Sequence, residues 1–196
     1  IGEDNSTIAI FDVTSKPYRV VATYHSNTVS PLVIPYDIER IFSQYNEAWV
    51  LVENNAIGSQ IIQILYYEIE YENVFLTSNK KNGLGTQIGG AGAKPGIKTT
   101  KSTKSVGCSN LKTLLELDIL LIESEIMVDE LGTFVLQTNG SYAADKGAKD
   151  DTVMNLVLFS WLTKTEFFKS EYETKEGDSI QDRMKSLREA SIEDTS

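Results

Sequence analysis

The chain has 196 residues, of which 41% are hydrophobic and 23% charged, so it is long and apolar enough to fold around its own core. Its single cysteine, Cys108, and single histidine, His25, exclude an intrachain disulfide and a zinc site built from those residue types. It contains no apolar run of membrane-spanning length and no secretory pattern. We therefore expect a soluble, intracellular protein in which any metal ligands are carboxylates, which suit Mg²⁺, Mn²⁺ or Ca²⁺.

The net charge of −10 is unevenly distributed along the chain. Between Asn79 and Lys112 there is no acidic residue, but there are seven lysines: Lys80, Lys81, Lys94, Lys98, Lys101, Lys104 and Lys112. A positive segment within an acidic protein is typical of a polyanion-binding surface beside an acidic metal pocket. The alternative interpretation is a solvated, flexible lysine loop.

The beginning of the chain predicts a β-hairpin followed by a helix. Residues 7–13 and 18–24 are β-branched and apolar and are separated by a turn that contains Pro17, which indicates two antiparallel strands. In residues 36–45, after Pro35, the apolar side chains recur at the spacing of one helix face.

Residues 48–77 predict a β-α-β unit. A continuous apolar run at 48–52 is typical of a strand that is buried on both faces, residues 56–71 have helical periodicity, and residues 73–77 predict a second strand. A right-handed crossover should make the two strands parallel. Residues 78–103 then contain six glycines and almost no apolar periodicity, which predicts a long mobile excursion.

The second half of the chain predicts further alternation of helices and strands. The expected elements are a helix at 109–117, a strand at 119–122, a helix at 125–134, a hairpin within 135–149 that turns at Asn139-Gly140, and an apolar helix at 152–162. From residue 163 onward the charge rises and the apolar density falls. We expect a peripheral tail there, with a short helix around residues 180–190.

This element order describes a mixed α/β sheet of ribonuclease H type, flanked by helices and carrying a Gly/Lys-rich excursion. Such folds bind ligands beyond the carboxyl ends of their parallel strands. Glu53 occupies that position at the end of the run at 48–52, where a carboxylate requires a cation or a hydrogen-bond partner. Asp150 and Asp151 precede the last core helix. One of them would suffice as a helix cap, so the pair admits either a capping or a functional role.

Five segments together resemble the nuclease domain of the large terminase subunit of tailed double-stranded DNA phages. These are HSNTVSPL at 25–32, VENNAIG at 52–58, LYYEIEYENV at 65–74, TKSTKSVGCSNLKTLLE at 100–116 and GAKDDTVMNLVLFSWL at 147–162. The resemblance covers about residues 1–162. It implies a ribonuclease H-like domain at residues 1–163 and an acidic peripheral tail at residues 164–196.

The resemblance also implies the catalytic residues. Glu53 matches the second acid of the family and Asp151 the third, with Asp150 as its neighbour. The first catalytic aspartate of the family lies on the first strand, shortly before a turn that Gly2-Glu3-Asp4 resembles, so that it would precede Ile1 and the chain would be inactive alone. Without that register, Asp12 at the end of the run at 7–13 is the first-strand candidate, although the resemblance places it at the far end of the second strand.

The implied activity is Mg²⁺- or Mn²⁺-dependent cutting of concatemeric viral DNA during packaging. Carboxylates hold the ions, and neither a histidine nor a serine nucleophile is needed. Lys80, Lys81, Lys94, Lys98, Lys101 and Lys104 would bind phosphates without reading bases. The implied partners are double-stranded DNA, an ATPase domain upstream in the full-length protein, the portal and a small terminase subunit, at the prohead in the host cytoplasm. The alternative is a DNA-docking or assembly module that has lost an essential acid.

Overall fold

The structure is a computed structural model that describes residues 6–80, 85–138 and 140–173. The predicted N-terminal hairpin is confirmed: β1 (Ser6–Asp12) pairs antiparallel with β2 (Tyr18–Ser26). Helix α1 (Ile34–Gln44) follows with a proline in its first turn, and it buries Ile38 and Phe42.

Residues 48–53 run extended but form only isolated parallel bridges, Val50 with Val74 and Glu53 with Ile97. The parallel arrangement is therefore confirmed, whereas the continuous strand buried on both faces is not, since Trp49 is 48% exposed. The predicted helix after it is helix α2 (Ala56–Ile62), which continues as π-helical turns over Gln63–Glu68.

The segment predicted as a mobile excursion contains regular structure in the residues that the structure describes. Strand β3 (Leu76–Asn79) pairs antiparallel with both β4 (Thr86–Ile88) and β5 (Lys94–Pro95). Between β4 and β5, Gly89, Gly90 and Gly92 adopt φ values of 69°, 92° and 71°. The glycines thus supply left-handed turn conformations, which a non-glycine residue adopts at a cost.

Helix α3 (Lys101–Glu116) begins earlier than the predicted residue 109, because the Thr100 side chain accepts a hydrogen bond from Thr103 N and caps it. The elements that follow agree with the prediction. They are β6 (Leu120–Leu121), parallel to β2, then α4 (Glu125–Gly132) and the antiparallel pair β7 (Phe134–Leu136) and β8 (Tyr142–Ala144). Asn139, in the predicted turn, lies outside the described residues.

Helix α5 (Asp151–Thr163) is the central core element, with Val153, Leu156 and Val157 fully buried. Helix α3 packs so closely against α5 that a Cβ at Gly107 would overlap the Val157 carbonyl oxygen. No helix in the described ranges is long and apolar enough to cross a membrane.

The segment after residue 163, predicted as a peripheral tail, contributes one buried side chain to the core in the part that the structure describes. Helix α6 (Glu166–Phe168) places Phe168 in the main core at 1% exposure, edge-on to the Tyr18 ring. The helix predicted around residues 180–190 lies outside the described residues.

Candidate active site

Glu53 is half-buried at the point where the extended segment 48–53 meets helix α2. Its neighbour Asn54 donates a backbone hydrogen bond of 2.7 Å to Ile97 O, and Asn55 caps α2 by accepting one of 2.8 Å from Gly58 N. A Cβ at Gly58 would overlap the Glu53 carbonyl oxygen, so only glycine lets the helix approach this closely. The backbone of Glu53 is therefore fixed by contacts within a few residues and by one bridge.

Asp151 is the first residue of α5 and is also half-buried. Its carbonyl oxygen accepts a 3.0 Å hydrogen bond from the Thr7 hydroxyl of β1, which in turn accepts one of 3.1 Å from Asn155 Nδ2. The start of α5 is thereby fixed to the first residues of β1.

Glu53 and Asp151 line one cavity of about 560 Å³. Ser6, Thr7 and Asn155 line it as well, so the first residues of β1 reach the same place. The described residues contain no group of three or more histidine, cysteine or acidic side chains that could hold a metal ion. The structure thus places two of the predicted acids, Glu53 and Asp151, on the wall of one cavity.

A gap separates β1 from the segment 48–53. Within the described ranges β1 pairs only with β2, and the segment pairs only on the other side, through hydrogen bonds such as Phe75 N to Val50 O at 2.9 Å. A second cavity of about 720 Å³ shares part of its lining with the first: Ala9, Phe42, Trp49, Leu51, Asn155 and Leu158. Two strand edges without a sheet partner in the described chain therefore face each other across a gap to which α5 contributes.

Asp150 does not cap α5 through its side chain, which excludes for this residue one of the two roles that the sequence left open. The cap is provided from α4: Glu130 Oε2 accepts hydrogen bonds from Thr152 N at 2.7 Å and from Val153 N at 3.3 Å. The Asp150 carboxylate instead forms an ion pair of 3.7 Å with Lys104. Nothing in the sequence indicated the role of Glu130, because this residue lies 22 residues from Thr152 along the chain.

Asp12 lies at the opposite end of β1 from Thr7, about 17 Å away for an extended strand. Its Oδ1 accepts hydrogen bonds from Thr14 N at 2.9 Å and from the Thr14 hydroxyl at 2.7 Å, and these bonds lower the pKa of the carboxyl below 3.8. Asp12 lines the second cavity and not the one with Glu53. Asp4 lies outside the described residues.

Two lysines of the positive segment, Lys98 and Lys104, lie near predicted acids. Lys98 follows Ile97, the bridge partner of Glu53, and Lys101 begins α3, where Lys104 reaches Asp150. The exposed members among the described residues are Lys80, Lys94, Lys98, Lys101 and Lys112. Lys81 lies outside the described residues. The stretch from Ile97 to Lys104 thus runs from the neighbourhood of one acid to that of the other.

The single cysteine is a buried thiol. Cys108 on α3 is 7% exposed, and burial raises its pKa to about 11. It is therefore protonated at neutral pH, and a nucleophilic role does not suit it. His25 is exposed near the end of β2.

Comparison with known proteins assigns this α/β fold to the ribonuclease H-like class. The family model described as the terminase RNaseH-like domain matches residues 2–159. The chain belongs to this family.

Eight solved chains match this structure. One is described as the large terminase nuclease from thermophilic phage G20c with bound cobalt. It is 18% identical, with a TM-score of 0.60 over 84% of this chain and 77% of that one. At this identity the likeness shows a shared fold. Together with the family match, it confirms the predicted ribonuclease H-like α/β class and the resemblance to a large-terminase nuclease domain.

Proposed function

We propose that the chain is the divalent-metal-dependent endonuclease domain of a phage large terminase, which cuts concatemeric double-stranded DNA during genome packaging. The observation that carries the proposal is the meeting of Glu53 and Asp151, two residues far apart in sequence, on the wall of one cavity. The membership in the terminase RNaseH-like family supports it. The cobalt named for the G20c nuclease supports the use of a divalent ion.

The donors in the cavity fit Mg²⁺ or Mn²⁺. Carboxylate oxygens are hard ligands, and Mg²⁺ is commonly held by one or two carboxylates together with water and substrate phosphate. Glu53 and Asp151 would hold the ion. When bound, it supplies an acidic water for attack on a phosphodiester and charge stabilisation for the leaving 3′-oxygen.

We also propose that a further strand carrying the first acid completes the domain, which spans residues 1–163 with residues 164–196 as its C-terminal tail. The gap between β1 and segment 48–53 supports this, since a strand lies ~4.8 Å from each neighbour and would satisfy both edges. An acid on such a strand near Thr7 would join Glu53 and Asp151 and give the cavity a third carboxylate.

The lysines give the acidic protein a surface for DNA. The exposed side chains of Lys80, Lys94, Lys98 and Lys101, together with Lys81, would bind backbone phosphates without reading bases, which suits sequence-tolerant cutting. Lys104 holds Asp150, and its ammonium also lies 5.5 Å from the centre of the Phe134 ring. The packaging partners in this proposal are an upstream ATPase domain, the portal and a small terminase subunit, at the prohead in the host cytoplasm.

The second candidate function is a non-catalytic DNA-docking or assembly module. The observation that favours it is that the described residues bring only two acids into the cavity. The residue that occupies the first-acid position upstream separates the two candidates. An aspartate on a short apolar strand supports the nuclease, and its absence from the full-length gene product supports the docking module.

Cleavage of supercoiled plasmid by the full-length gene product tests the proposal. We expect nicking with Mg²⁺ or Mn²⁺, none with EDTA, and loss of nicking in Glu53→Gln, which removes a ligand charge at nearly constant volume. Loss of a true ligand should cost several kcal/mol of transition-state stabilisation, which is more than a hundredfold in rate. A folded Glu53→Gln protein that retains more than about a tenth of the rate would remove Glu53 from the ligand set.

A further inference from the structure

Glu130 makes the contacts that an N-cap residue normally makes, but from a different helix. A single oxygen, Oε2, accepts from Thr152 N at 2.7 Å, from the Thr152 hydroxyl at 2.6 Å and from Val153 N at 3.3 Å. Because Asp151 begins α5, these amides belong to its second and third residues, which are the donors that an N-cap side chain serves. Thr152 is 2% exposed, so its amide has little access to water as an alternative acceptor.

Glu130 and Asp151 therefore both lie at the start of α5, where the partial positive charge of the helix favours carboxylates. The residue before Asp151 is held separately, by the Asp150 to Lys104 ion pair. Lys104 in turn lies against Phe134, in the strand that directly follows α4. The α4–β7 segment thus contacts the residues directly after Asp151 and reaches the residue before it only through Lys104.

We propose that Glu130 is a positioning residue for the metal site: it caps α5 from α4 and so fixes the first turn of the helix that carries Asp151 at the cavity. This inference rests on the proposed function, because it takes Asp151 to be a metal ligand. Because the capping carboxylate comes from α4, the orientation of the first turn of α5 depends on how α4 packs against it.

The test compares Glu130→Ala, Glu130→Gln and Asp129→Ala in the full-length gene product. Gln retains an acceptor oxygen at nearly the same position, and Asp129 is an exposed acid on the same helix, so the last variant controls for charge. The readouts are Mn²⁺ affinity by calorimetry, the Mn²⁺ concentration that gives half-maximal plasmid nicking, and amide exchange of the peptide that contains Thr152 and Val153.

We expect Glu130→Ala to weaken Mn²⁺ binding at least fivefold, to raise the half-maximal Mn²⁺ concentration by a similar factor and to speed exchange of the two amides at least tenfold. Glu130→Gln and Asp129→Ala should remain within twofold of the unaltered protein. If Glu130→Ala does not fold, Glu130→Asp replaces it, since its shorter side chain keeps the charge but does not reach the amides.

Unchanged Mn²⁺ affinity in a folded Glu130→Ala protein, or failure of Glu130→Gln to restore it, would overturn the positioning role and leave the proposed function standing. Failure of the unaltered protein to bind Mn²⁺ would instead overturn the proposed function, and with it the assignment of Asp151 as a ligand. Amide exchange is measured without metal. It therefore tests whether Glu130 caps α5 independently of the positioning role and of the proposed function.

Discussion

The two acids of the cavity are positioned by different kinds of contact. Glu53 is held by its own neighbourhood: the Asn55 cap and the close approach of Gly58 lie within five residues of it, and one bridge to Ile97 completes the arrangement. Asp151 is held by distant residues, the Thr7 hydroxyl and, through Thr152, Glu130. The same site thus combines a locally encoded half and a half that exists only once the tertiary structure has formed.

The largest expected effect is the difference in nicking rate between substitution of Asp151 and substitution of its neighbour Asp150. Asp151→Asn should lower the rate of metal-dependent plasmid nicking more than a hundredfold, because it removes a ligand charge. Asp150→Asn should lower it less than about fivefold, because it loses only a partly exposed ion pair with Lys104, of the kind typically worth up to ~1 kcal/mol. Both rates are measured in the full-length gene product. Equal, mild losses with lowered melting temperatures would assign both acids a purely structural role.

The next prediction disrupts the local contacts that position Glu53, without changing any carboxylate. Gly58→Ala gains about 1 kcal/mol of helix propensity but places a methyl group on the Glu53 carbonyl oxygen. We expect the clash to dominate and to destabilise the protein by about 2–3 kcal/mol, measured by urea unfolding. Gly132→Ala is the matched control, since nothing lies within 4 Å of a Cβ built there. A Gly58→Ala protein as stable as the control would show that α2 can move away from Glu53.

The third prediction concerns the positive segment between Asn79 and Lys112. Replacing the exposed lysines of that segment by Gln should weaken binding of unrelated DNA sequences about equally and lower the salt slope by up to ~0.9 per lost phosphate contact. The residues to replace are Lys80, Lys94, Lys98 and Lys101. Lys112→Gln, at the far end of α3 and paired with Glu116, is the control. Unchanged affinity and slope in the fourfold variant would place the DNA path elsewhere.

The contrast between the two halves also explains what the sequence could predict. The position of Glu53 at the end of a parallel strand could be predicted, because an apolar run, an acid and a helix start follow one another directly in the sequence. Asp150 and Asp151 could be predicted as a pair of candidate acids. Their different contacts could not be predicted, because Lys104 and Glu130 reach this part of the chain only through tertiary packing. The β3–β4–β5 sheet was not predicted, because its turn glycines have the composition of a flexible loop while serving as left-handed turn residues.

The smallest expected effect is at Asp12, which lies at the end of β1 away from both acids. Its carboxylate is stabilised by the Thr14 hydroxyl and amide, so its folded pKa lies below 3.8 and the stabilisation is complete above that value and lost as the pH falls through the folded pKa. Because the group is largely exposed, Asp12→Asn should lower the free energy of unfolding at pH 7 by no more than about 0.5 kcal/mol. Urea unfolding at pH 7 and at acid pH should show this difference shrinking. Nicking should be unchanged, because Asp12 lines the second cavity; a rate loss like that of Asp151→Asn would instead make Asp12 the missing first acid.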